Sequence, residues 1–563
     1  MTEIYKDKQV TDLETRKSAS PRIISGVIVL MISNIVVKLL GLLCKIPLHD
    51  LLQDQGMSYF NIAYNIFTTL YMVSTAGLPT AVTIMISDTP AGSSRRRQVE
   101  RIFRVALGVF FVLGIIGTSI MLFFAKPLAA LMGSDASYLC IMAISPTLFF
   151  ICMSSAIRGY FQGHQNMIPT AVSEITEAIG KFAIGIVLAK YAISRGESIE
   201  RAAAYAIAGI TIGVATGMIF LIISKILYNS DKNAAVEAEG GSVSSRSDIL
   251  KQLAKIALPI TISAVALNLT GIIDTFSIIN CMKLYTEEQL AEIAYGNYST
   301  LAVTMSHLPS AFITPIASSL TPALTAALLA IKTAKDEAEK REKELRASKV
   351  MQSCLKFAAI ISIPCALGLS ILAKPILSLL FKNQDSVNAA APLLSILAIS
   401  VFFTAMLTIT TSILQAHKLQ HKPIISMCGG IVVKIILNVL LISNPSIGIY
   451  GAPIGTLASY FVMASINFYF VIKYVGIHVS IIKNFGKPLL SSLIASLLTV
   501  LVYVLVETQT GHAAVATVLS ILITVLVYFI LLFLLHTFAK NDILLLPKGE
   551  SIYRVLCRMK LMK

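Results

Sequence analysis

Apolar runs long enough to cross a bilayer follow one another along almost the whole chain, separated by short polar stretches. A transmembrane helix needs about 20 mainly apolar residues. Runs of that order fall at 23–43, 59–87, 103–125, 138–161, 167–189, 202–224, 256–281, 297–331, 352–373, 387–415, 424–443, 448–472, 488–506 and 513–538. The pattern predicts an all-α polytopic membrane protein with fourteen transmembrane helices. The first run follows a polar leader of mixed charge and shows no cleavage site, so it reads as a spanning helix and not as a removed signal.

Composition sharpens this picture. Of the 563 residues, 56% are hydrophobic and 13% are charged, against about 25% charged in soluble domains. That excludes a globular enzyme held by one anchor. The net charge of +16 would suit nucleic acid in a soluble protein. In a membrane protein it is explained by cytoplasmic loops, and no nucleic-acid partner is expected. With the N-terminus inside, cytoplasmic segments receive Arg95, Arg96, Arg97, Arg101 and Arg104, the run from Lys332 to Lys349, and the basic tail. Both termini are then expected in the cytoplasm. Four lysines are left inside the membrane: Lys38, Lys181, Lys356 and Lys434.

No motif for catalysis appears. The eight cysteines form no CxxC pair and read as packing residues. There is no phosphate-binding glycine loop, no HExxH and no nucleophile elbow. No metal, cofactor or enzymatic activity is expected.

The chain repeats itself. Gln162, His164 and Lys181 match Gln415, His417 and Lys434 at a constant spacing of 253 positions, as do Phe149-Phe150 with Phe402-Phe403 and Met153 with Met406. Phe124–Met132 resembles Leu372–Leu380, and Leu78-Pro79 resembles Leu308-Pro309. Spans one to six and seven to twelve therefore read as two copies of one bundle. Six is even, so both copies cross in the same sense, related by an axis along the membrane normal. The expected organisation is a cytoplasmic leader (1–22), an N-lobe (23–228), a polar linker (229–250), a C-lobe (251–475), two further helices (476–540) and a basic cytoplasmic tail (541–563). Parallel lobes of this kind make transporters, with substrate near mid-membrane where the lobes meet.

Charged groups within the spans are the candidate site. A charge at the bilayer centre costs about 2.5–3.5 kcal/mol on the insertion scale, so it faces protein or a watery cavity. Glu174, Glu177 and Lys181 share one helical face. Lys181 lies twelve residues past Pro169, roughly 18 Å along a helix and near the midplane. Glu177 can neutralise Lys181 at i, i+4. Lys434 holds the matching place in the second copy, where Met427 and Gly430 replace the acids. A lysine without a local acid points to an anionic ligand. Lys38 and Lys45 share a face of the first span, though Lys45 can also snorkel to the outer interface. Asp274 either pairs with Lys38 across the lobes or binds a coupling cation or proton. Arg158 ends the fourth span, as an anchor or a substrate contact. His307 is a packing residue or a proton relay. Pro79, Pro309 and Pro322 break or kink their helices.

These residues also carry a family resemblance. Arg158–Glu177, "RGYFQGHQNMIPTAVSEITE", resembles the signature of the stage V sporulation protein B-like polysaccharide transporters. Gly56–Val82, "KLLGLLCKIPL", "SILQAHK" and "GIYGAPIGTLASY" are similar to the same family, so the likeness covers nearly the whole chain. The superfamily also holds multidrug and toxin extruders, O-antigen flippases and the MurJ branch of lipid II flippases. The resemblance implies two six-helix lobes, a cationic central cavity and two extra C-terminal helices, which in the MurJ branch form a groove for a polyprenyl tail. It implies flipping of a bacterial cell-wall precursor across the plasma membrane, and with it roles in cell shape or sporulation. The family's basic positions fall on Lys38, Lys45 and Lys181. Lysine keeps their charge but lacks arginine's two-pronged fit to phosphate. Glu174 stands where a glutamine is expected.

The expected function is alternating-access flipping of a polyprenyl-diphosphate-linked sugar, with lipid II the leading substrate. Membrane lipids and cell-wall synthesis enzymes are the other candidate partners, and a monomer is expected. The alternatives are a flippase for another polyprenyl-linked oligosaccharide, a cation-coupled multidrug antiporter with an acid-dominated cavity, and a non-transporting scaffold acting through its loops.

Overall fold

A computed structural model describes residues 21–89, 95–228, 244–333, 336–476, 482–538 and 554. The leader up to position 20, linker positions 229–243 and all of the basic tail except Arg554 lie outside the described residues. Every described element is helical. In chain order they are α1 (Pro21–Thr75), α2 (Leu78–Ser87), α3 (Arg95–Phe123), α4 (Ala125–Leu131), α5 (Tyr138–Gly163), α6 (Ile168–Ser194), α7 (Ile199–Leu227), α8 (Arg246–Met282) and α9 (Glu288–Asn297). A π-helical stretch (Tyr298–Val303) leads into α10 (Thr304–Ser306). Then follow α11 (Ser310–Lys332), α12 (Glu337–Ile371), α13 (Ala373–Leu380), α14 (Gln384–Ala416), α15 (His421–Ile442), α16 (Gly451–Phe470), α17 (Lys487–Thr510) and α18 (Ala513–Leu534).

Each of the fourteen apolar runs is helical over most of its length. Among the described residues, nine helices are long and apolar enough to cross a membrane. The chain is thus an all-α polytopic membrane protein. One local difference from the sequence pattern lies between the first two runs. Helix continues through Pro47 and breaks only at Gln53, whose φ is 55°. The reason is burial: Leu48 and Leu52, four residues apart on one helical face, are buried.

The helices gather into two compact units. The first comprises Met1–Cys44, Ile66–Leu128 and Tyr138–Val265. Within it α6 packs along α7, and α5 packs on α3 and α7. Leu78, Phe103, Phe110, Phe161 and Leu221 belong to its core. The second comprises Lys45–Asn65, Ala129–Ser137 and Ala266–Lys563. Within it α15 packs on α16, α12 and α16 pack on α14, and α17 packs on α18 and α12. Along α17 and α18, Leu497, Leu522 and Leu526 stay exposed. Such a surface needs no cover where lipid, as apolar as leucine, is the solvent.

The sequence repeat reappears as local geometry. After α5, the His164 ring bonds the Tyr160 carbonyl at 2.8 Å, and Gln165 follows with φ 58°. After α14, the His417 ring bonds the Ile413 carbonyl at 2.9 Å, and Lys418 follows with φ 62°. The two Leu-Pro pairs also sit at matching breaks, since Gly77 caps α2 and Pro309 caps α11. Pro322 lies within α11, and its side chain is outside the described set.

The tightest packing in the first unit is between α6 and α7. Gly209, Gly213 and Gly217 recur every four residues on α7 and face α6. A Cβ at Gly213 would lie 2.6 Å from the Lys181 backbone nitrogen and 2.9 Å from the Glu177 carbonyl oxygen. Backbone cannot step aside as a flexible side chain can, so Gly213→Leu should destabilise by about 2 kcal/mol or more. Gly368, where an added Cβ would meet nothing within 4 Å, should tolerate alanine. Thermal melting of the purified protein in detergent reads both: a clear drop for Gly213→Leu, and none for Gly368→Ala.

Candidate functional site

Each unit buries an acid and surrounds it with donors. In the first unit the acid is Glu177 on α6. One oxygen, Oε2, accepts from Arg158 Nη2 at 2.9 Å. The other, Oε1, meets Lys181 Nζ at 2.9 Å. Arg158 is on α5, and its Nε also donates to Ser173 Oγ at 3.2 Å. The Arg158 and Glu177 side chains are only 10% and 11% exposed, whereas that of Lys181 is 31% exposed. Two cations thus flank one carboxylate, and Lys181 is the one with an open face. Glu174, one turn before Glu177, accepts from Ser33 Oγ at 3.4 Å. Ser33 also donates to the Ala171 carbonyl at 3.2 Å, which ties α1 to α6. Lys38 lies five residues beyond Ser33 on α1 and is exposed.

Arg158 is buried and forms half of an ion pair that ties α5 to α6. The i, i+4 pairing of Glu177 with Lys181 follows the sequence spacing.

In the second unit the acid is Asp274 on α8. Lys434 of α15 donates to its Oδ2 at 2.8 Å and to the Thr270 carbonyl at 3.0 Å. Asn438, one turn further along α15, donates to Oδ1 at 3.0 Å. The Tyr298 hydroxyl donates to Oδ2 at 3.3 Å. Thr456 Oγ1 stands 3.5 Å from the same oxygen. The Lys434 side chain is 2% exposed. Lys434 has no acid one turn away on its own helix, as its sequence neighbours indicate, yet it is paired. The acid comes from another helix, 160 positions away, where no local pattern can reveal it. In the structure the Asp274 carboxylate meets Lys434, 2.8 Å away.

A cavity of about 80 Å³ adjoins this pair, lined in part by Asp274, Lys434, Tyr298, His307 and Thr456. It has room for a few water molecules. His307 is exposed, in the turn between α10 and α11. Lys45 belongs to this unit and donates to Thr304 Oγ1 at 2.8 Å.

Sequence reading missed a third buried acid. Glu292 on α9 is 3% exposed. It accepts from Tyr59 at 2.9 Å, from Gln55 at 3.1 Å and from Ser134. Its segment looks like a polar connection, because Glu287, Glu288 and Gln289 open it and it is too short to span a membrane. Asn438 was legible: it follows Lys434 by four residues, on the same face.

A model of the family described as polysaccharide biosynthesis protein matches residues 23–328, and the MatE model matches 340–440. The uncharacterized membrane protein YabM of Bacillus subtilis is 23% identical, over 95% of this chain and 96% of its own. Stage V sporulation protein B of the same organism is 24% identical, over 77% and 80%. Its lipid II flippase MurJ is 25% identical, over 75% and 78%. Among solved structures, a lipid II flippase MurJ in an inward closed conformation aligns with a TM-score of 0.62 at 15% identity, covering 91% of this chain and 99% of that one. An inward-facing multidrug resistance MATE family transporter aligns at 0.59 and 16% identity, covering 78% and 94%.

The Asp274–Lys434 pair makes a stability prediction. Removing one partner strands a buried charge, so Lys434→Met or Asp274→Leu alone should each destabilise by about 3–5 kcal/mol. Removing both leaves no stranded charge, and the double variant should recover much of that loss. A double-mutant cycle from detergent melting curves measures it. Additive losses would mean the pair carries no coupling.

Proposed function

The chain belongs to the polysaccharide biosynthesis protein family, and we propose that it flips a lipid-linked, diphosphate-bearing sugar precursor of the cell wall, with lipid II as the substrate. At the coarser level it is a multi-pass bacterial membrane transporter of the flippase superfamily, and not an enzyme. The relatives named for lipid II flipping and for sporulation support the finer reading. Both termini are taken as cytoplasmic from the distribution of basic residues.

The observation that carries the proposal is the exposure of Lys181 and of Lys38 on apolar helices of the first unit. A lysine facing hydrocarbon is costly, so these two face water within the membrane. There an ammonium can replace hydration that a diphosphate loses in crossing. Around Glu177 the cations outnumber the anion, and Arg158 holds that carboxylate so that Lys181 is not fully spent on it. Arg158 is then a positioning residue, and Glu174 tempers the local charge. Lys45 remains a candidate headgroup contact. Lys434 is buried against Asp274, and we assign that pair to charge pairing and coupling and not to headgroup contact.

The MatE match keeps one rival in view, a cation-coupled drug antiporter. That reading needs an acid available to a cationic drug, and Asp274 is held by Lys434.

The test is outer-leaflet appearance of lipid II in cells depleted of other flippases, probed with an externally added reagent. Wild type should restore it. Lys181→Ala should lower it by about tenfold or more at equal protein level, while Lys181→Arg, which keeps the charge, should retain most of it. No restoration by well-folded wild type would refute lipid II as substrate, and extrusion of cationic dyes would favour the rival. Full activity of Lys181→Ala would refute the site.

A further inference from the structure

One strongly charged feature lies outside both buried clusters. Arg96, Arg97, Arg101 and Arg104 on α3, with Arg246 at the start of α8, line a cavity of about 820 Å³ in the first unit. Arg96, Arg104 and Arg246 are exposed. Among the described residues Glu100 is the only acid lining it, and its Oε1 is met by Lys225 Nζ at 3.4 Å. That ammonium also lies over the Phe103 and Tyr160 rings, at 4.3 and 3.9 Å. Glu100 is therefore matched by Lys225, and of the arginines Arg101 also donates to the Ser244 carbonyl at 3.0 Å. The preference for basic residues on the cytoplasmic side explains why arginines stand here. It does not explain why two helices arrange them around a hollow.

The hollow has a second property. Its lining continues through Val105 to Gly108, where a Cβ would meet nothing within 4 Å. Positions 97, 101, 104 and 108 share one stripe of α3. Along the helix beyond that opening, Phe111, Val112, Ile115 and Ile116 are 45%, 53%, 44% and 49% exposed. The cationic hollow thus opens at its inner end toward an apolar surface. Guanidinium groups match phosphate oxygens in geometry and charge. A soluble anion would use only the hollow, and a hydrocarbon only the surface. A lipid with a phosphate head uses both.

We propose that this hollow docks the phosphate of a membrane-embedded anionic lipid, whose tails lie along the exposed face of α3. The site goes beyond the transport reading and does not involve Lys181 or Glu177. Its ligand class is shared by bulk anionic phospholipid and by polyprenyl diphosphate. The basic pocket sits at the membrane–water boundary, where such headgroups lie.

The experiment is native mass spectrometry of the full-length protein in detergent, titrated separately with phosphatidylglycerol, phosphatidylcholine, farnesyl diphosphate and inorganic pyrophosphate. Phosphatidylglycerol should be retained at concentrations about tenfold lower than phosphatidylcholine, and the variant Arg96→Gln/Arg104→Gln/Arg246→Gln should raise its half-saturation by about tenfold. These side chains are exposed, so the variant's melting temperature without added lipid should match wild type. Gly108→Phe should weaken lipid retention by filling the opening. Displacement of phosphatidylglycerol by much lower farnesyl diphosphate identifies the carrier as the source. Comparable affinities identify bulk lipid, and either result supports the site. Undiminished binding to the triple variant, no preference over phosphatidylcholine, or pyrophosphate competing as well as the lipids would overturn it. Binding is read without transport, so this result stands apart from the fate of the lipid II proposal.

Discussion

Burying ionised groups among apolar helices is the constraint on which the rest of this structure depends. Water is absent there to stabilise a carboxylate, so each buried acid must find cations or donors in the protein. Glu177 does so with Arg158 and Lys181. Asp274 does so with Lys434, Asn438 and Tyr298. Such pairs contribute little net stability compared with well-packed apolar residues. What they fix is which helices lie together: α5 with α6 in the first unit, and α8 with α15 in the second.

Backbone packing and charge burial act together in the first unit. The glycines of α7 let its backbone close on α6 beside the Glu177 cluster, with Gly213 against Lys181 and Gly217 against Ser173 and Glu177. That approach packs backbone against the turns of α6 that carry Glu177 and Lys181. Lys181 keeps its exposure on another side. The result is a cation held in place by a buried acid and still 31% exposed. In the second unit the balance differs, because Lys434 is fully enclosed. Two related copies of one sequence pattern thus place a lysine at equivalent positions and give it different surroundings.

Much of the fold was legible in the sequence, because lipid imposes a length and a composition on every span. The helix positions, the turn shared by His164 and His417, and the Glu177–Lys181 pair all follow from patterns within a few residues. The missed features depend on partners far apart in the chain. Asp274 and Lys434 meet across 160 positions, and Glu292 is met by Tyr59 across 233. Neither acid has a partner one helical turn away, so neither pairing could be read locally. Helical continuity through Pro47 was hidden for another reason. The polar residues between the first two apolar runs look like a loop until the burial of Leu48 and Leu52 is known.

The central claim is that unit-one lysines in apolar helices face water and not lipid or protein alone. The most direct measurement is the reactivity of a single cysteine at position 38 or 181, in a background without native cysteines, toward a water-soluble, membrane-impermeant thiol reagent. The account predicts that both positions react in sealed vesicles of at least one orientation, and that an exposed lipid-facing position such as Leu522 does not. Silence at 38 and 181 in folded protein would contradict it.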